Sequence, residues 1–249
     1  MNKKYALILA SLLTFLIANS IYLFNSATSE GKSLESVVVS RVIDGDTLQL
    51  DDGRKIRLLN INSPEKTSQL YKRSFEFLKT YEHKQIYLDE HGQDKYKRTL
   101  ARVYDGGLYI NLELVKYGLA SKFLVSKEEL KDFSSAEELA LENEYGIWQH
   151  SIFYGCISVD IDQKNEKVLL ESSCDNLNIF NWTIKDESRK EYHFWINNLQ
   201  SITIHSSYGQ DTERDIYWKS KTDIWNNDRD TLYIFDNQNK IVISKSYGY

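Results

Sequence analysis

Hydrophobic positions along the chain fall into three regimes. The first is "YALILASLLTFLIANSIYLF", twenty uncharged residues from Tyr5 to Phe24, which as a helix rise roughly 30 Å, enough to cross a bilayer core. The second begins with the β-branched "SVVVSRVI" and the alternating "TLQL". "DDG" at 51–53 marks a hairpin turn, and "RKIRLLNI" reads as a further strand running on to the end of the segment. Helical spacing of Leu70, Ser74, Phe77, Leu78 and Tyr81 predicts a helix over 67–81. "QIYLDE" and "TLARVY" return to strand, and "INLELVKYGLA" reads as a short helix closing on Gly118. Ser126 followed by Glu129 is a capping-box arrangement, and it opens a last helical stretch with a break near Ser134. The third regime, after His150, has no helical period. Seven short strand signals ("CISVDID", "KVLLES", "IFNWTIKD", "EYHFWI", "SITIHS", "TLYIFD", "KIVISKSY") are spaced by turn-formers such as "KDESRK", the pattern of a β-sandwich.

These regimes divide the chain into a signal or anchor helix with a polar linker (1–33), an α+β domain with a small barrel-like sheet (34–150), and an all-β domain (151–249). Lys3 and Lys4 set the N-terminus on the cytoplasmic side, and Asn25 makes a poor −3 residue for cleavage after Ala27. An uncleaved membrane anchor and a cleaved, secreted form both remain open; either places the rest outside the cytoplasm. Cys156 and Cys174 are the only cysteines, suited to a disulfide in an oxidising compartment or to two buried thiols. The formal charge of −5, with 17 Lys/Arg against 19 Asp/Glu over 38–149, excludes a protein that coats polyanions with its whole field. Any nucleic-acid contact needs a local cationic cluster.

Such a cluster is legible. Asp44 and Asp46 in "VIDGDTLQL", Arg57, Asn62, Ser63 and Glu65 in "RLLNINSPE", and Arg98 in "DKYKRTLARVY" supply what phosphodiester hydrolysis requires. Asp46, the Asn62 amide oxygen and the Ser63 carbonyl make a hard-oxygen set suited to Ca²⁺, with Pro64 holding Ser63 extended. Glu65 is placed as a general base, and Arg57 and Arg98 as planar forks for phosphate oxygens. Read singly, "DGDT" is an ordinary turn, Arg57 a surface residue and Glu65 a helix cap; their order over about 50 residues is what argues for chemistry.

Over 37–149 these segments, with "NLELVKYGLA" and "AEELALENEYGIW", resemble the thermonuclease, or staphylococcal-nuclease-like, family. The resemblance implies a five-stranded OB-fold barrel with three helices and Ca²⁺-dependent cleavage of DNA and RNA, single strands preferred. Carried over by position, Arg57, Glu65 and Arg98 match the catalytic trio, Asp46, Asn62 and Ser63 the metal ligands, and Lys95 and Tyr96 residues that touch a terminal phosphate. Asn62 stands where the family usually has aspartate, which implies weaker Ca²⁺ binding. "SKFLVSK" offers Phe123, Leu124 and Ser126 where the family places base-stacking tyrosines. Residues 155–249, above all "WNNDRDTLYIFD", resemble the lamin-tail domain, an immunoglobulin-like sandwich. Trp182 and Trp225 read there as core aromatics, and "NNDRD" as turn residues or a second Ca²⁺ loop. Function therefore narrows to an extracytoplasmic nuclease, with a nucleic-acid-binding scaffold or an envelope or protein adhesion module as alternatives.

Overall fold

Alternation in the first strand is interrupted. Strand β1 (Glu35–Asp44) buries Val37, Val39 and Val42, and a register shift after Val39 accounts for the extra residue between the last two. Antiparallel β2 (Thr47–Leu50) and β3 (Lys55–Leu58) follow through the predicted "DDG" turn. β5 (Gln85–Gln93) and β6 (Thr99–Asp105) form the second hairpin, and the two-residue β7 (Leu108–Tyr109) pairs with the end of β6. Parallel pairing of β3 with β6 closes β1, β2, β3, β5 and β6 into a barrel, whose interior is Val39, Leu48, Ile56, Leu58, Ile86, Leu88, Ala101 and Val103. With helices α1 (Tyr71–Lys79), α2 (Ile110–Lys116) and α3 (Leu130–Glu142), the unit fits an OB-fold. The structure is a computed structural model that describes residues 34–66, 68 and 70–249. The N-terminal apolar run, read as an anchor or signal, lies outside the described residues. Among those described, no helix is long and apolar enough to cross a membrane.

Three local expectations change. "RKIRLLNI" is not one strand: Asn60 adopts φ +65, and the chain restarts as β4 (Ile61–Asn62), which pairs with β8 (Ser121–Lys122). This turn takes Asn62 and Ser63 off the barrel wall to its rim. The Ser126/Glu129 capping box does not form, because the Glu129 carboxylate accepts instead from Arg102, Asn60 and Tyr109 at 2.8, 2.7 and 2.9 Å. Nor is α3 broken at Ser134, since Phe133, Ala136 and Ala140 share one buried face across it. α2 does close on Gly118, whose φ of +61 and close approach to the Tyr145 carbonyl exclude any side chain.

The second half has eight strands, not seven. One sheet orders β14 (Asp215–Tyr217), β13 (Ser201–His205), β10 (Lys167–Ser172) and β9 (Ile157–Asp162). The other orders β12 (Glu191–Leu199), β11 (Leu177–Lys185), β15 (Asp230–Phe235) and β16 (Ile241–Tyr247). Their inner faces share one core with buried Trp182 and Trp225, so the unit is a sandwich. β14 escaped the sequence pattern because it is three residues long and pairs in parallel with β13. A disulfide joins Cys156 to Cys174 beside this core.

Barrel and sandwich form one compact unit, Ser36–Tyr249. A third cluster joins them: Ala140, Ile147 and Trp148 pack on Tyr233, Phe235 and Ile241, with the Trp148 and Tyr233 rings 5.4 Å apart. Beside it the buried Lys122 ammonium bonds Glu137 at 2.6 Å and Ser246 at 3.1 Å, and Tyr249 donates to Glu187 at 2.5 Å. Truncating Trp148→Ala removes the largest side chain of this seam, and urea unfolding is expected to show a loss of about 3–5 kcal/mol. A loss under 1 kcal/mol would show that the two units are not held together there.

Candidate active site

Strand register assembles the site. Within the barrel wall Arg57 lies opposite Thr47 on β2 and Leu100 on β6, so Asp46, Arg57 and Arg98 emerge at one rim. Gly45 lets the β1–β2 turn approach Ser63: a Cβ there would sit 2.7 Å from the Ser63 hydroxyl and 2.8 Å from the Ser74 side chain. Asp44, Asp46, Arg57, Asn62, Ser63, Glu65, Lys95, Tyr96 and Arg98 all line a single cleft of about 940 Å³. Phe123 and Leu124, which stand where the family resemblance places base-stacking tyrosines, line it too.

The Asp46 carboxylate is buried at the centre. Its Oδ1 meets Arg57 Nε at 3.2 Å and accepts from the Thr47 hydroxyl at 3.2 Å. Its Oδ2 accepts from the Ser63 N–H at 3.0 Å, the Ser63 hydroxyl at 2.9 Å and Arg189 Nη2 at 2.8 Å. Burial pushes the Asp46 pKa up, but the Arg57 and Arg189 guanidiniums and the Ser63 donors outweigh it and hold the carboxyl below its ordinary range. Burial and the Asp46 charge push neighbouring Asp44 the other way.

Arg57 is buried and spent on the protein. Besides Asp46 it donates to the Leu58 carbonyl, to the Ile61 carbonyl at 2.7 Å and to Asn62 Oδ1 at 2.6 Å. Arg98 is more open, tied to Asp94 at 2.7 Å and to the Thr47 hydroxyl at 3.3 Å. Lys95 and Arg98 lie over the face of Tyr96, 5.1 and 5.5 Å from the ring centroid, and Tyr96 is 68% exposed.

The metal set expected from the sequence is arranged for other partners. Asn62 turns its amide oxygen to Arg57 and donates its Nδ2 to the Glu187 carbonyl at 2.8 Å. Ser63 acts through its N–H and hydroxyl, both on Asp46. Both Asp46 oxygens carry donors, and Arg189 joins Asp46 to the expected general base Glu65. Among the described residues there is no cluster of three or more His, Cys, Asp or Glu side chains suited to a metal. As arranged, these donors do not fit a divalent cation. "NNDRD" likewise reads as a turn: Asp230 accepts from the Asn226 N–H at 3.1 Å and the Thr231 N–H at 2.8 Å.

Arg189, Glu187 and Asp94 are site residues that the sequence reading missed. Arg189 lies 124 positions beyond Glu65 in the turn "KDESRK" between β11 and β12, where nothing local distinguishes it from a surface arginine.

Comparison with known proteins decides the family. The family model described as staphylococcal nuclease homologue matches residues 55–150. A thermonuclease from Staphylococcus intermedius is 35% identical over 129 residues, covering 46% of this chain and 77% of that protein. The chain belongs to the staphylococcal nuclease family. An uncharacterized endonuclease of Haemophilus influenzae is 37% identical over 140 residues, covering 53% of this chain and 77% of its own length. A thermonuclease of Staphylococcus hyicus is 31% identical over 141 residues, 51% of this chain and 83% of that protein. This family member is a nuclease, a phosphodiesterase hydrolase. The family match ends at residue 150, so the sandwich and its Arg189 lie beyond it.

The turn that carries Arg189 is pH-sensitive. Asp186 accepts from the Ser188 hydroxyl at 2.6 Å and the Lys190 N–H at 2.8 Å, and burial, helped by the Asp230 charge, pushes its pKa up to about 6. Between its ordinary value of 3.8 and about 6 the folded protein holds a proton that the unfolded chain has released. Stability contributed here is therefore present below the ordinary value and lost as pH rises through about 6. Relative to Asp186→Asn, the wild type is expected to lose up to roughly 3 kcal/mol between pH 4 and 7.5 in urea unfolding. A difference independent of pH would refute this.

Proposed function

We propose that this nuclease hydrolyses DNA and RNA outside the cytoplasm, with little sequence preference and with single strands favoured. One observation carries the reading: Asp46, Arg57, Glu65 and Arg98 share a cleft, and Lys95 and Tyr96 stand at its rim. Glu65, whose side chain is 61% exposed, takes the proton of an attacking water. Arg98 holds the non-bridging phosphate oxygens as negative charge builds, and Arg57 keeps Asp46 ionised and in place. Lys95 adds charge for a neighbouring phosphate, and the exposed Tyr96 ring offers a face for a base. Ca²⁺ is what the family resemblance implies, but the Asp46, Asn62 and Ser63 donors as arranged do not fit it.

The extracytoplasmic location is supported by the apolar run at 5–24 and by the Cys156–Cys174 disulfide, a bond that persists in oxidising compartments. The lamin-tail resemblance of the sandwich supports an added role in contact with the envelope or a protein partner. The full chain incubated with heat-denatured DNA or with RNA is expected to shorten both. Glu65→Gln and Arg98→Ala should each lower the rate by about 10²-fold or more. Intact substrate that is retarded on a gel would identify a binding protein instead.

A further inference from the structure

Two facts about the cleft call for one explanation. Arg57, the buried arginine of the family pattern, has directed contacts to the Asp46, Leu58, Ile61 and Asn62 oxygens. It has little left to offer a phosphate. Asp46, the carboxylate of the expected metal set, and the general base Glu65 are bridged by a guanidinium from outside the family domain.

We propose that Arg189 is the resident cation of this active site, a catalytic side chain contributed by the sandwich that replaces the divalent metal. The proposal rests on the nuclease reading and names the group that binds the scissile phosphate beside Arg98. Arg189 reaches Asp46 Oδ2 with Nη2 and Glu65 Oε1 with Nη1. These are two of its five N–H groups, and its side chain is 33% exposed in the wall of the cleft. A planar fork with spare donors next to the base is suited to the phosphate oxygens of the transition state. In the reaction a water oxygen bonds to phosphorus as one ester P–O bond breaks. The water proton passes to Glu65, and the departing alkoxide takes a proton from solvent.

The placement is built, not incidental. Arg189 holds φ +77, a left-handed conformation ordinary for glycine and uncommon for arginine, at the tip of the β11–β12 turn. The turn is seated by the Asn62 amide on the Glu187 carbonyl and by the Leu124 N–H on Glu187 Oε1 at 3.3 Å. An aspartate at 62 has no side-chain N–H to give that carbonyl, so the departure from the family pattern and the docking of Arg189 belong to one arrangement. The seam behind it contains fully buried Trp148 and Tyr233, which argues for a permanent part of the site over a removable plug. The cleft also stays open with Arg189 in its wall.

Two measurements on the full chain test this, with circular dichroism to verify that each variant is folded. Rates on single-stranded DNA are compared in EDTA and in millimolar Ca²⁺. The wild-type rate should change less than twofold, Arg189→Ala should fall at least 100-fold in EDTA, and Arg189→Lys should lie between. A wild type that needs Ca²⁺, or an Arg189→Ala variant as fast as or faster than wild type, would overturn the proposal. Calorimetric titration with CaCl₂ alone gives a readout without catalysis: no saturable binding by the wild type, and binding gained by the Asn62→Asp/Arg189→Ala double variant. Wild-type binding, or none by the double variant, overturns the assignment. If no variant cleaves DNA under any condition, the nuclease reading fails, and the titration still decides whether Arg189 holds the cation position.

Discussion

A buried carboxylate is among the most costly features a fold can contain unless it is paired, and the centre of this protein is organised around pairing one. Asp46 lies beneath the rim of the barrel and is kept ionised by Arg57, by two donors from Ser63 and by Arg189. Each of those partners fixes a piece of architecture. Arg57 ties β3 to the β4 segment through the Leu58, Ile61 and Asn62 oxygens, Ser63 locks the β1–β2 turn against the same segment, and Arg189 binds the sandwich to the rim. Remove the charge, and these ties lose their common acceptor.

Because one partner comes from the second domain, barrel and sandwich are not separable in function as they are in topology. The seam combines an apolar cluster around Trp148 and Tyr233 with polar contacts that cross it, Lys122 to Ser246, Leu124 to Glu187 and Arg189 to Asp46. Apolar burial supplies attraction without direction, and the paired groups specify one orientation, since any other leaves charges unpaired in the interior. The Asn62 amide is the hinge of this arrangement, with its oxygen toward the barrel's arginine and its nitrogen toward the sandwich's turn.

Much of the fold was legible because short-range pattern and structure agree. Period-two runs became strands of the barrel and sandwich, Gly118 closed its helix, and Trp182 and Trp225 are core. Expectations changed where a distant partner outbid a local one. Glu129 has the spacing of a cap, yet Arg102, Asn60 and Tyr109 claim its carboxylate. The break at Asn60 is hidden within an apolar run because it is decided by pairing with β8, about sixty positions away.

The sequence alone determined the order of elements, the family pattern of the barrel and the residues that the strands bring to the cleft. All of these rest on local periodicity and on motifs carried by neighbouring strands. What only the tertiary structure decided is which cation stands between Asp46 and Glu65. Arg189 is an unremarkable member of a polar turn until the two domains dock. Electrostatic pairing depends on distance in space, and a linear pattern holds no record of a separation closed by packing.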